Sequence, residues 1–324
     1  MTVKQSVLKV LEEQKGNFIS GEQLAVSLGV SRNAVWKSIR QLEEEGYQIT
    51  SVRNRGYCLA QEADVLSAEG ISAHVQPAAL YVYDVIDSTN EEAKRLAPGG
   101  APHGTLVAAN AQTAGKGRRG RSFYSPSNTG VYFSILFRPK LDISDSILIT
   151  TAASVAVCRA VSKVCSVECT IKWVNDIYLG EKKICGILTE GVADMESGTI
   201  SAIICGIGIN VRTEDFPAEA GELAASIYAG RVSRGIRNEL VAAVYTELMA
   251  ITEALPDRGF LAEYRSRSNV IGRRIRYTDH GEWREADAVG IDDDGGLVIE
   301  SDAGERLHLH TGEITVRVQE SGEA

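Results

Sequence analysis

The segment TAGKGRRGRSFYSP, Thr113 to Pro126, crowds three glycines and four cationic side chains into the seven residues Gly115 to Arg121. Gly115, Gly117 and Gly120 match a GxGxxG pattern, and Gly115 to Ser122 nearly matches a Walker loop with Arg121 in place of its lysine. Both motifs must open a helix whose N-terminus holds a phosphate, yet SFYSPSNTGVYFSILF follows here, with Pro126, Gly130 and a strand pattern. Both matches therefore read as decoys, and the cationic loop is expected to join two strands. Four like charges and three glycines favour a mobile loop, which an anionic ligand would order through charge-assisted hydrogen bonds and freed backbone N–H groups. A solvated loop and a second DNA contact stay open as alternatives.

Outward from that loop, strands and helices alternate. LYVYDVI, TLVAANAQ and GVYFSILF read as strands, and DSTNEEAKRLA as a helix with a Thr89/Glu92 capping box. ILITTAASVAVCRAVSKV reads as a long helix, TIKWVNDIYLGEKKICGILTEG as a hairpin turning near Gly180, TISAIICGIGINV as a buried strand and RNELVAAVYTELMAITEAL as a helix. This α/β domain is expected to end near residue 268. The short strands that follow, separated by DHGE, DDDGG and DAGE, predict a small β-barrel.

The N-terminal segment predicts three helices and a hairpin. Ser20 with Gln23 forms a capping-box start, Leu28-Gly29 a stop, and Ser31 a cap for a third helix whose buried stripe is Val35, Ile39 and Leu42. YQITSVRNRGYCLA completes a winged helix-turn-helix. Ser31, Arg32, Asn33 and Lys37 on the third helix, with Arg53 and Arg55 on the wing, are candidate contacts to duplex DNA; a three-helix bundle with no DNA role is the plain alternative.

The net charge of −9 argues against a molecule that coats nucleic acid. Residues 1–62 nonetheless hold eight Lys/Arg against seven Asp/Glu, so nucleic-acid contact belongs at this end. No uninterrupted apolar run of membrane-spanning length and no apolar signal core is evident, which predicts a cytoplasmic chain. Six cysteines without a CxxC pair predict buried free thiols, and five histidines form no triad with a nucleophile, so a hydrolase is poorly supported.

A second constellation, KWVNDIYLGEKKICGI, gathers Lys172, Asn175, Asp176, Lys182 and Lys183. Strand alternation cannot put all of them on one face, so a bend near Asn175-Asp176 is expected. Asp176 is the candidate to hold Mg²⁺ against phosphate oxygens, and Lys183 to neutralise a carboxylate or phosphate. Ser88, Thr89, Asn90 and Gln112 supply neutral hydrogen-bonding groups, and GIGIN, Gly206 to Asn210, allows close approach.

Taken in order, DSTN, GKGRRGRSFYSP, KWVNDIYLGEKKICGIL and GIGINV resemble the bifunctional biotin protein ligases that also repress the biotin operon. The likeness covers nearly the whole chain. It implies an α+β, multi-domain chain: a winged helix at 1–62, a class II synthetase-like α/β ligase domain with a mixed sheet at 63–268, and an SH3-like β-barrel at 269–324. It also implies that biotin and ATP, with Mg²⁺ at Asp176, form biotinyl-5′-AMP, from which a lysine of the biotin carboxyl carrier protein of acetyl-CoA carboxylase takes biotin. By that resemblance Ser88, Thr89, Asn90, Gln112, Lys116, Gly117, Arg118, Lys183 and Gly186 contact biotin or the adenylate. Arg119, Arg121, Lys172, Trp173, Asn175 and Asn210 meet ATP, with Arg118, Lys183 and Asp176 catalytic. Lys116, Phe123 and Val174 depart from the commoner arginine, tryptophan and proline. The repressor half implies operator DNA and a homodimer that forms on biotinyl-5′-AMP. The readings set against it are a non-catalytic regulator sensing a small acid and a lipoate–protein ligase.

Overall fold

The computed structural model describes residues 2–138, 146–193, 200–218, 223–230, 234–255, 257–279, 282–310 and 317–318. Helices α1 (Val3–Glu13), α2 (Gly21–Leu28) and α3 (Arg32–Glu44) precede strands β1 (Ile49–Val52) and β2 (Gly56–Leu59), which pair antiparallel. The expected boundaries follow from local chemistry. Ser20 and Gln23 exchange capping hydrogen bonds, Gly29 ends α2 at φ 65°, and the Ser31 hydroxyl accepts from the Ala34 N–H. Val7, Leu8, Leu11, Leu24, Val35, Ile39, Leu42 and Leu59 close the bundle's own core.

The central unit begins with α4 (Ala68–Ser72), β3 (Ala79–Ile86), α5 (Thr89–Leu96), β4 (Thr105–Gln112) and β5 (Gly130–Phe137). It continues through α6 (Ser146–Cys165), β6 (Thr170–Lys172), β7 (Asp176–Leu179), β8 (Lys182–Ala193), β9 (Ile200–Asn210), α7 (Arg237–Glu253) and α8 (Phe260–Ser266). Its seven strands form one sheet in the order β3-β4-β5-β9-β8-β7-β6. Only β3 and β4 run parallel, joined through α5; the other neighbours are antiparallel, so the sheet is mixed as expected.

Strand alternation gives this sheet two unlike faces. Val131, Phe133, Ile135, Ile177, Cys185, Ile187, Ile207 and Ile209 pack in one core with α6 and α7. The opposite face holds α5, whose Ala93 and Ala97 meet Val107, Leu136, Ala202 and Ile204. The reading of the sequence is corrected in two places. The run from Thr170 contains two successive hairpins, with a turn at residues 173–175 as well as the one at Gly180, because Lys172 pairs with Asp176. Residues 147–165 are long and apolar enough to cross a membrane despite Arg159 and Lys163, but 83% of that helix lies buried inside the molecule, as befits a core helix.

All six cysteines are buried and free. Burial pushes the Cys165 thiol up to about 11 and those of Cys169 and Cys205 up to about 12, so they stay protonated and unreactive at neutral pH.

The C-terminal unit consists of β10 (Arg274–Asp279), β11 (Glu282–Ile291), β12 (Leu297–Glu300), β13 (Arg306–Leu309) and β14 (Arg317–Val318). Among the described residues it is an antiparallel sheet ordered β13-β12-β11-β10-β14, with β13 and β14 at its edges. His280 and Gly281 of the DHGE turn, and residues 311–316, lie outside the described residues. Ile275, Ala286, Leu297 and Ile299 join the core of the central unit, and the Trp173 indole N–H donates to the Gly295 carbonyl at 2.9 Å.

The connection from the N-terminal bundle is equally anchored. Asp64 receives the backbone N–H of Arg237 at 2.9 Å and lies 3.4 Å from its Nε. The Arg237 guanidinium, fully buried at the start of α7, also donates to Asn110 Oδ1 at 2.7 Å and to Asn128 Oδ1 and the Gly130 carbonyl at 3.4 Å each. One side chain thus ties the interdomain connection to both ends of the segment that carries the basic loop.

Candidate functional site

The mixed-sheet face opposite α6 and α7 carries the site because three glycines interrupt it. Across β5, β9, β8, β7 and β6 the register aligns Tyr132, Gly208, Gly186, Asp176 and Lys172 in one row. One step along, Ser134, Gly206 and Leu188 form the next row, about 7 Å away from the spacing of two strand residues. Bare glycines leave a trough between these rows, and other side chains descend into it. A Cβ at Gly206 would stand 2.0 Å from Asn90 Oδ1, and one at Gly208 would stand 2.4 Å from the Phe123 ring.

A neutral cluster occupies the α5 end of the trough. Ser88, Thr89 and Asn90 are buried at the start of α5. Ser88 takes the N-cap position without a side-chain capping bond, and the expected Thr89/Glu92 capping box does not form. Its failure has a physical reason: the Thr89 N–H and hydroxyl turn to Gln112 Oε1 at 2.8 and 3.2 Å, while Glu92 pairs with Arg95 at 2.7 Å. Ser134 Oγ lies 2.8 Å from Thr89 Oγ1 and 2.6 Å from Asn90 Oδ1. Its single hydroxyl proton serves one of them at a time. Asn90 Nδ2 donates to Glu190 Oε2 at 2.7 Å, and Gln112 Nε2 to Ser125 Oγ at 2.8 Å.

The basic loop does lie between two strands, β4 and β5. It folds back on itself as Phe123 N–H donates to the Gly115 carbonyl at 2.8 Å and Gly117 N–H to the Arg121 carbonyl at 2.7 Å. The tip is a single 3₁₀ turn, Arg118–Gly120, with Arg119 and Gly120 at positive φ, so no helix N-terminus faces a phosphate here. Phe123 carries the returning strand down onto Gly186 and Gly208, edge-on to Tyr132 at 6.3 Å between centroids. Replacing Gly208 with alanine is expected to unseat that ring and expose the loop. Limited trypsin cleavage at Arg118 to Arg121 should accelerate several-fold, and an unchanged rate would show that the ring does not depend on the bare glycine.

A charged cluster occupies the other end. Arg118 donates to Asn175 Oδ1 at 3.0 Å, and Asn175 Nδ2 donates to the Ile187 carbonyl at 2.9 Å. Lys183 Nζ lies 2.8 Å from Asp176 Oδ1. That oxygen is buried and accepts no hydrogen bond of good geometry, so the pair is an ionic contact rather than an oriented one. Burial pushes the Arg118 guanidinium below its ordinary value and the Asp176 charge pulls it back; arginine remains a cation. Asn210, on the same face of β9, has a buried Oδ1 with no donor, while its Nδ2 donates to the Ala225 carbonyl at 3.2 Å.

Other expected residues lie around the trough rather than in either cluster. Lys116 pairs with Glu91 at 2.6 Å, Arg119 and Arg121 are exposed at the loop tip, and Lys172 Nζ lies 5.7 Å from the Tyr178 ring centre. Trp173 turns its indole to the C-terminal unit. The sequence reading missed Ser134, Tyr132 and Glu190. Strand phase would have found them, since Ser134 and Tyr132 share parity within GVYFSILF and Glu190 shares parity with Gly186.

At the N-terminal unit, Asn33 and Lys37 are exposed on α3, and Arg53 at the wing turn. Ser31 caps α3, Arg32 pairs with Glu22 at 2.6 Å, and Arg55 stacks 4.2 Å from the Phe18 ring centre.

Family models match three successive parts of this architecture. Residues 3–58 match an HTH domain, 82–210 the biotin/lipoate A/B protein ligase family, and 270–317 a biotin protein ligase C-terminal domain. The chain is 34% identical to the bifunctional ligase/repressor BirA of Bacillus subtilis, over 94% of this chain and 95% of that one. It is 32% identical to the Escherichia coli protein of the same description, over 89% of each. The Aquifex aeolicus biotin protein ligase, solved with biotin and ATP, superposes with a TM-score of 0.64 at 26% identity, covering 75% of this chain and all of that one. With the likeness running through the helix-turn-helix, the glycine-floored sheet and the C-terminal sheet alike, the chain belongs to the bifunctional ligase/repressor BirA family.

Proposed function

We propose that this chain is an ATP-dependent biotin protein ligase that also acts as a biotin-responsive transcriptional repressor. The observation that carries the catalytic half is the pairing of two unlike clusters across one glycine trough. Thr89, Asn90, Gln112 and Ser134 suit a neutral polar ring system, and Arg118 with Lys183 suits a carboxylate and phosphates. An elongated acid with a polar head satisfies both ends at once.

In the first step a biotin carboxylate oxygen bonds to the α-phosphorus of ATP, and the bond to the β-phosphate bridging oxygen breaks, releasing pyrophosphate. Arg118 and Lys183 stabilise the charge that builds on the phosphoryl oxygens, in a site where the half-buried guanidinium is already desolvated. Phe123 and the loop cover the mixed anhydride against water. In the second step the carrier lysine amine attacks the acyl carbon and AMP leaves.

Magnesium needs few protein ligands, because phosphate and water oxygens complete its shell. Asp176 fits as its single anchor, since its Oδ1 is buried without a hydrogen bond and is held by an ammonium that could move to phosphate. When bound, the ion would neutralise phosphate charge. Among the described residues no set of three His, Cys, Asp or Glu side chains could hold a metal by itself.

We assign biotin or adenylate contacts to Ser88, Thr89, Asn90, Gln112, Lys116, Gly117, Arg118, Lys183 and Gly186, and nucleotide contacts to Arg119, Arg121, Lys172, Asn175 and Asn210. Trp173 supports the nucleotide end through the turn it shares with Lys172. Domain boundaries fall at 62/63 and 268/269, with the C-terminal sheet closing as an SH3-like barrel. Ser31, Arg32, Asn33, Lys37, Arg53 and Arg55 meet operator DNA. A homodimer formed on biotinyl-5′-AMP places two such modules on a palindromic site, and the acceptor is a biotin carboxyl carrier protein in the cytoplasm.

ATP–pyrophosphate exchange run with biotin, lipoate or neither, followed by the mass of a carrier domain, tests the catalytic half. Biotin-dependent exchange and a biotinyl mass increment are expected. Exchange with lipoate alone would make the chain a lipoate ligase, and exchange with neither acid would leave a sensor without catalysis.

A further inference from the structure

Helix α3 presents an apolar ring where a solvated helix would carry polar side chains. Trp36 is 50% exposed, on the flank of α3 beside the stripe of buried Val35, Ser38, Ile39 and Leu42. At helical spacing its neighbours are Arg32 and Arg40, four residues to either side, with Asn33 and Lys37 alongside, all exposed. Arg40 lies 5.9 Å from the indole centre and also pairs with Glu43 at 2.9 Å, so it props the ring from one side. The stripe thus reads cation, indole, cation on the second helix of a helix-turn-helix, and the wing adds Arg53 and Arg55 to the same module.

A lone exposed indole is ordinary on a protein surface, but this one stands between cations on the second helix of the HTH domain. A protein partner would be expected to match an apolar patch, but the surroundings are cationic and Asn33 carries an amide of the kind that pairs with base edges. Duplex DNA matches both features. Its phosphates take the cations, and the major groove offers a single apolar group, the thymine C5-methyl. We infer that Trp36 is a base-reading residue whose indole packs on the C5-methyl of one thymine in each operator half-site. This rests on the repressor reading above and adds to it a determinant of sequence choice. Arg32 releases Glu22 for phosphate at little cost, since both side chains are about 70% exposed.

The test uses the full chain with biotin and ATP. Duplexes are selected from a random pool, and each dT of the selected site is then replaced singly by dU, which removes only the methyl group. Wild-type protein should bind about fourfold more weakly at one position per half-site, the value of one buried methyl. Trp36→Ala should lose that position's preference for dT and show no dU penalty there, while Trp36→Phe retains part of it. Lys37→Ala should weaken every duplex alike and keep the dU penalty. If Trp36→Ala selects the same site with the same dU penalties, or alters self-association while leaving sequence choice intact, the inference is wrong and the repressor reading stands. If the wild type selects no sequence at all, the repressor reading falls and takes this inference with it.

Discussion

Full-length protein carrying Arg237→Met is expected to lose about 3–5 kcal/mol of folding stability, the cost of leaving one member of a buried ion pair alone. The size follows from the environment. Arg237 is fully buried and the Asp64 side chain is 3% exposed, so Asp64 cannot turn to water once Arg237 is gone and keeps just the longer contact to Arg212 at 3.7 Å. Burial already pushes the Arg237 guanidinium below its ordinary value, with Asp64 opposing that shift. Asn110, Asn128 and the Gly130 carbonyl would lose their donor at the same time. The measurement is the urea midpoint at constant slope. The double variant Asp64→Leu with Arg237→Met should recover much of the loss, because a shape-filling apolar pair leaves no orphaned charge. A single-variant loss below about 1 kcal/mol, the ordinary effect of a point change, would mean that Arg237 anchors nothing. The same substitution should also loosen the basic loop, since Asn110 and Asn128 lie on either side of it.

Lys183→Ala should leave stability nearly unchanged and reduce biotin-dependent ATP–pyrophosphate exchange by roughly 10²–10³-fold, the range for removing one group aimed at developing charge. Its ion pair with Asp176 is partly open to water, with side chains 34% and 24% exposed, so the fold gains little from it. The reacting centre depends on it more. In the trough Lys183 and Arg118 are the cations that the site directs toward Asp176 and Asn175, and the bulge after Ile177 is what turns Lys183 to that face. The fall should appear in kcat for exchange more than in KM for biotin, whose polar head the proposed pose assigns to the other end of the trough. An equal rise in KM with kcat preserved would make Lys183 a binding residue, and wild-type exchange would remove it from the site altogether.

Much of the fold was legible because local chemistry and tertiary packing agree. Ser20, Gln23, Gly29 and Ser31 mark helix ends by hydrogen bonds within four residues, so nothing distant can override them. The strands Thr105–Gln112 and Gly130–Phe137 are largely apolar and buried, and reading them correctly excluded the nucleotide-binding loops that the glycine spacing mimics. Local reading failed where a residue had a better distant partner. Thr89 had the spacing of a capping box, but Gln112 and Ser134 compete for its hydroxyl from β4 and β5. Trp173 sits among site residues in sequence and turns away from them, because its buried N–H finds a carbonyl in the C-terminal unit.

The sequence by itself determined the kinds of chemistry present: a cationic glycine loop, a lysine and aspartate in one hairpin, small residues in a buried strand, and a DNA-type helix pair. Each is encoded by near neighbours, where period and turn preference suffice. Only the tertiary structure decided that Gly186, Gly206 and Gly208 lie side by side as a trough, that Phe123 and Asn90 enter it, and that one buried arginine joins the interdomain connection to the loop. Those facts depend on strand order and register, which arise from packing between segments distant in sequence, 173 residues apart for Asp64 and Arg237, and leave no periodic mark on the chain.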